Sequence, residues 1–203
     1  MADEEAQGQM LDEDIDSVVR TTRDDNVIRE RLQSYLASQL PGGAKPQVSE
    51  ISSPSASGMS SETLLFDATW TEAGGGAGGG AFVGRMAPSQ ADHPTFPTYD
   101  MKMQADVLRL AEKGGVPVPN VRWIELNPDV LGAPFFVMER LRGRVPADVP
   151  TYLSEGWVFD ATSEERKVMQ DNTVAAIAKI HAIDVDNQDV GFLEFDEPGD
   201  SPL

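Results

Sequence analysis

The chain of 203 residues contains no cysteine, which removes disulfide scaffolds, thiolate metal sites and cysteine nucleophiles together. It holds two histidines, too few to build a multi-histidine metal site. Basic residues are scarce too: 16 Lys and Arg stand against 34 Asp and Glu, a formal net charge of −18. Binding a phosphate backbone needs a clustered cationic face, so this balance argues against a nucleic-acid partner. No run of about 18 apolar residues is present, so no membrane-spanning helix is expected. The N-terminal MADEEAQGQM is acidic where a signal peptide would be basic and then apolar. The expectation is a soluble, cytoplasmic protein with neither nucleic acid nor membrane as partner.

What is present suffices for a core. Apolar residues make up 40% of the chain and include eight Phe, three Trp and three Tyr. The length suits one domain, or one and a half. The acidity sits at the ends: residues 1–30 carry ten acids and three bases, and residues 184–203 carry seven acids and no base. Such ends read as solvated segments, and residues 1–24 as an acidic lead.

Asp24 or Asp25 can cap a helix running to about Leu40, with Ile28, Leu32, Tyr35, Leu36 and Leu40 on one face. Pro41-Gly42-Gly43 stops it. Strands follow: one begins at Val48 and Ile51, small residues at 52–60 make a turn, and 63–70 form a second. Glycines dominate 74–80, which reads as a floppy low-complexity connector to a third strand at 81–86, the pair forming a hairpin. After a Pro-rich bend at 93–97, residues 99–113 read as a helix with Met103, Val107, Leu110 and Ala111 on its apolar face, ended by Gly114-Gly115. Val116-Pro117-Val118-Pro119 is extended, because each proline biases its predecessor away from helix. Two more strands, 121–126 and 134–139, flank a turn around Asn127-Pro128-Asp129.

Beyond a loop containing Tyr152 and Trp157, Thr162-Ser163-Glu164-Glu165 has the form of a capping box. It opens a helix whose Met169, Thr173, Ile177 and Ile180 share a face and which ends near His181-Ala182. Five strands with one helix inserted between the third and fourth form the α+β order of a protein-kinase-like small lobe, a five-stranded antiparallel sheet. The helix at 162–182 then stands as the first helix of the large lobe. The expected organisation is an acidic lead at 1–24, the small lobe with its N-terminal helix at 25–141, and linker plus the start of a helical large lobe at 142–203.

Specific strings sharpen this order. They are Gly115-Val116-Pro117-Val118-Pro119, then Leu131-Gly132-Ala133-Pro134-Phe135-Phe136-Val137-Met138-Glu139-Arg140, then Gly143, and the helix end Ile177-Ala178-Lys179-Ile180-His181. Over about residues 27–195 the chain resembles the N-terminal part of the bacterial aminoglycoside-phosphotransferase-like family. That resemblance implies ATP as cofactor and transfer of its γ-phosphate to a hydroxyl of a small molecule, with Mg2+ and phosphate ligands arranged as in protein kinases.

The resemblance also assigns residues. Ser57, Gly58, Met59, Ser60 and Ser61 stand where the nucleotide-covering loop lies, and their small side chains would let backbone amides approach phosphate oxygens. Arg85 takes the third-strand position of the lysine that binds the α/β-phosphates, keeping the charge with a planar donor fork. Gln104 stands at the place of that cation's usual Glu partner; its amide oxygen can orient a guanidinium without neutralising it. Met138, Glu139, Arg140 and Leu141 form the hinge that hydrogen-bonds adenine through its backbone.

The family's H-G-D-x-x-x-x-N loop and its later metal-binding Asp have no counterpart. His93 precedes Pro94-Thr95, and His181 is followed by Ala182 and Ile183, where the catalytic Asp would stand. Asp184-Val185-Asp186-Asn187 reads as a solvated helix exit rather than a metal site. No catalytic or metal residue is therefore assigned, Mg2+ is expected only with the rest of the large lobe, and the 203-residue chain alone is expected to be inactive. The alternative is a non-catalytic, truncated kinase-like module that acts through a partner or by self-association through the apolar face of the helix at 162–182. The acceptor stays open among aminoglycosides, sugars, amino alcohols, macrolides and acyl carriers.

Overall fold

The computed structural model describes residues 23–53, 61–89, 96, 98–146 and 150–193. Helix α1 spans Asp25–Gln39, strand β1 Gln47–Val48, β2 Glu62–Thr71 and β3 Ala77–Met86. Helix α2 spans Met101–Lys113, β4 Val121–Glu125, β5 Phe135–Glu139 and α3 Ser163–His181. The five strands make one antiparallel sheet in the order β1-β2-β3-β5-β4. Among the described residues no helix is long and apolar enough to cross a membrane. The chain divides into two compact units, one of residues up to 102 with 121–140, the other of 103–120 with 141–203.

In the first unit, the Asp24 carboxylate accepts from the amides of Asn26 and Val27, satisfying donors that the first helical turn leaves open. Ile28, Leu32, Tyr35 and Leu36 then fall on one face and are buried. They join a core with Leu64, Phe66 and Ala68 of β2, Phe82 and Met86 of β3, and Phe135 and Val137 of β5. Each fully buried side chain of this size contributes about 1.5–3 kcal/mol. Phe82 is the aromatic centre, its ring 5.7 Å from Phe66, 6.3 Å from Trp70 and 5.5 Å from Trp123. Tyr35 packs edge-on against Phe135 at 5.1 Å, and its hydroxyl donates to the Ile124 carbonyl at 3.2 Å. Arg23, just before α1, is paired with Glu62 of β2 at 2.8 Å, which ties the start of the helix to the strand.

The glycine run differs from the sequence expectation of a floppy connector over 74–80. The turn is confined to residues 72–76, closed by Glu72 N–H to the Gly76 carbonyl at 2.8 Å and Gly75 N–H to the Glu72 carbonyl at 2.9 Å. Gly78, Gly79 and Gly80 belong to β3 and pair with Trp70, Thr69 and Ala68. A side chain at Gly78 would collide with the Trp70 indole, and one at Gly79 with the Ala68 carbonyl. The strand-forming partner thus recruits the glycines, and their missing side chains leave room for the indole.

In the second unit, α2 ends on Gly114 and on Gly115 at φ 75, with Val116 N–H reaching the Ala111 carbonyl at 3.0 Å. The buried residues of α2 are Met101, Ala105 and Ala111, while Met103 and Val107 are exposed. Ala111 is buried as the sequence reads, but the buried stripe passes through Met101 and Ala105, four residues apart, rather than through Met103 and Val107, so the face is rotated about the helix axis. Gly114 lies under Ile183, which follows α3, and Lys113 Nζ donates to Gln188 at 2.6 Å. The capping box forms as the sequence predicts, with Thr162 N–H donating to Glu165 at 2.8 Å and Glu165 N–H to the Thr162 hydroxyl at 3.2 Å. No residue of α3 is buried, and Val168, Val174, Ile177 and Ile180 are exposed. The Arg144 guanidinium stacks over the Trp157 ring at 4.6 Å, and the indole N–H donates to the Val145 carbonyl.

Candidate functional site

Alternation along the strands separates two faces of the sheet. Leu64, Phe66, Ala68, Phe82, Met86, Phe135 and Val137 face α1. The register places the other face in rows of directly opposed residues: Thr63, Arg85 and Phe136 in one, Leu65, Val83 and Met138 in the next. Asp67 and Ala81 open a third row. The first row carries charge, the second is an apolar strip, and the third returns to charge.

Arg85 is half-buried at the polar end. Its Nε is buried and has no hydrogen-bond partner, and it takes part in none of the ion pairs among the described residues. Burial pulls its pKa below the usual arginine value. Ser61 stands at a bend immediately before β2. Its Oγ is likewise buried without a partner. Leaving one such group unsatisfied costs about 1–3 kcal/mol, so each marks a place built for something else. A guanidinium offers only donors and a hydroxyl can donate, so the fitting group is an anion.

Ser57, Gly58, Met59 and Ser60 lie outside the described residues. The sheet brings Arg85 and Met138 to one face, and Ser61 stands just before β2. Met138 is half-buried within the apolar strip, and Phe136 beside Arg85 is fully buried. The side chain of Glu139 is turned away by alternation and pairs with Arg122 at 3.3 Å. Arg140 donates its amide to the Ala81 carbonyl at 2.9 Å, so that amide is taken, and its guanidinium pairs with Asp67. Gln104 is half-buried on α2, and Leu141 is exposed; both belong to the second unit. Sequence reasoning passed over Leu65, Val83 and Asp67. The signal for them was the period-two alternation in β2 and β3, which becomes informative only once the register is known.

Among the described residues no three of His, Asp and Glu gather in a way that would hold a metal ion. Asp184 instead accepts from the Asn187 amide at 2.6 Å within a short 3-10 turn, Val185–Asn187.

The five-stranded antiparallel sheet, with α2 inserted between the third and fourth strands, is the small lobe of a protein-kinase-like fold. A solved structure from Ralstonia eutropha JMP134, assigned to the aminoglycoside phosphotransferases, superposes on it with a TM-score of 0.52 at 20% identity. The match covers 84% of this chain and 42% of that one, so this chain spans less than half the length of its structural relative. The model of the phosphotransferase enzyme family matches residues 69–200, well over half of the chain. The chain belongs to that phosphotransferase family.

Proposed function

We propose that this chain is the nucleotide-binding portion of an ATP-dependent small-molecule phosphotransferase of the cytoplasm. The observation that carries the reading is the buried, unpartnered Arg85 Nε on the sheet face beside the strip Leu65, Val83 and Met138, with Ser61 Oγ, also buried without a partner, just before β2. Arg85 holds phosphate oxygens with a fork of donors, and Ser61 adds a hydroxyl. A flat base lies on the apolar strip, its edge met by the backbone at Glu139. ATP supplies the phosphoryl group that a small-molecule hydroxyl receives. Orienting that hydroxyl and holding Mg2+ require carboxylates, and we assign the residues of this chain to binding alone.

Calorimetric titration with ATP and Mg2+ tests this. The wild-type chain is expected to bind, and Arg85→Ala to weaken binding by about tenfold or more. Equal affinity in both proteins, or no binding at millimolar nucleotide, would refute the assignment.

The second reading is a module without catalysis that associates with itself or with another protein. The exposed Val168, Val174, Ile177 and Ile180 of α3 favour it. Sedimentation across a concentration series decides the self-association form, since a monomer at every concentration contradicts it.

A further inference from the structure

Arg140 is tied down twice where the chain leaves β5. Its amide donates to the Ala81 carbonyl on β3, and its guanidinium crosses to the Asp67 carboxylate on β2, a residue 73 positions earlier in the chain. Ala81 lies between the two in the row, and its methyl group is small enough for the arginine stem to pass over it. Three strands are thereby linked at one level, four residues along β3 from Arg85, or about 13 Å. With its side chains 33% and 60% exposed, such a pair adds little to global stability. Its effect is local, on the backbone it holds.

That backbone matters for the site. Hydrogen-bonded and non-hydrogen-bonded pairs alternate along antiparallel strands. The bond from Arg140 to Ala81 makes the adjacent pair, Phe82 and Glu139, non-hydrogen-bonded across β3. The amide and carbonyl of Glu139 therefore point away from β3, on the side where β4 pairs with β5, one residue beyond the last pair, Val121 with Met138, at the end of the apolar strip.

Resting on the ATP reading above, we propose that Arg140 is a positioning residue. Its bond to Asp67 moors the exit of β5 so that the Glu139 backbone is held in place for the edge of the base, which makes base affinity separable from phosphate affinity.

The test is calorimetry with two probes, ATP and inorganic tripolyphosphate, on the full chain and its variants, with thermal melting alongside. Arg140→Ala is expected to weaken ATP binding about tenfold while leaving tripolyphosphate within about twofold and the melting temperature unchanged. Asp67→Asn should reproduce that loss, the double variant should be no worse than either single one, and Arg140→Lys should recover part of the affinity. Arg85→Ala should instead weaken both probes. Equal loss of ATP and tripolyphosphate in Arg140→Ala, or unchanged ATP affinity, overturns the positioning role. A wild-type chain that binds neither probe overturns the ATP reading itself, and the positioning role with it.

Discussion

The indole of Trp70 occupies the space that a side chain at Gly78, its directly opposed partner across the β2–β3 hairpin, would need. The pair closes one side of the aromatic group around Phe82, whose ring lies 6.3 Å from Trp70. Gly78→Val must displace the indole, and the expected loss is about 1–3 kcal/mol, the usual range for overpacking. Chemical denaturation checks this; an unchanged midpoint would mean that the indole moves aside freely.

Tyr35 provides an alkaline limit to stability. Burial, and secondarily the Glu125 carboxylate, raise its pKa from 10.0 to about 12. The neutral phenol is therefore favoured in the folded state, and its contribution is complete below pH 10 and lost as the pH rises from 10 towards about 12. The linked change is about 2–3 kcal/mol. Tyr35→Phe should flatten that decline while lowering stability at neutral pH by about 1 kcal/mol through the lost bond to Ile124. Denaturation at neutral pH and at pH 11, compared between the two proteins, measures both effects.

Arg85 should weigh against stability in the absence of ligand. Its Nε is buried without a partner and burial lowers its pKa, so Arg85→Met is expected to raise stability by about 1 kcal/mol while weakening nucleotide binding. Thermal melts without and with ATP test the two halves together. A lower melting temperature without ligand would show that the guanidinium supports the fold instead.

The cap of α3 should weaken in acid. Hydrogen bonds from the Thr162 amide and hydroxyl hold the Glu165 pKa below its ordinary value of 4.5. A depressed carboxylate stabilises the folded form above its unfolded pKa, and that contribution disappears as the pH falls through the folded value. Glu165→Gln should remove the acid-dependent part of the helix signal below pH 4.5. Circular dichroism of the two proteins along a pH series measures it, and identical acid profiles would remove Glu165 as the source.

Much of the fold was legible because it is locally encoded. The Asp24 cap with Ile28, Leu32 and Leu36 marks α1, and Thr162 with Glu165 marks the start of α3, through contacts between residues at most eight apart. The strands of the hairpin announce themselves by alternation, and the strings around 115–119 and 131–143 carry the family. The candidate site was only half legible. Arg85 and Met138 were identified by motif position, but the unsatisfied state of Ser61 and the bond between Asp67 and Arg140 were not.

By itself, then, the sequence determined the helices with their caps, the strand content, the family and the absence of thiol chemistry. These follow from side-chain type and spacing along a short stretch of chain. Only the tertiary structure decided that Gly78 to Gly80 enter a strand, that Met101 and Ala105 rather than Met103 and Val107 are buried on α2, and which residues oppose one another across the sheet. Each of these depends on strand register or on close packing between distant segments. A shift of one residue in that register would turn Arg85 from the open face into the core under α1.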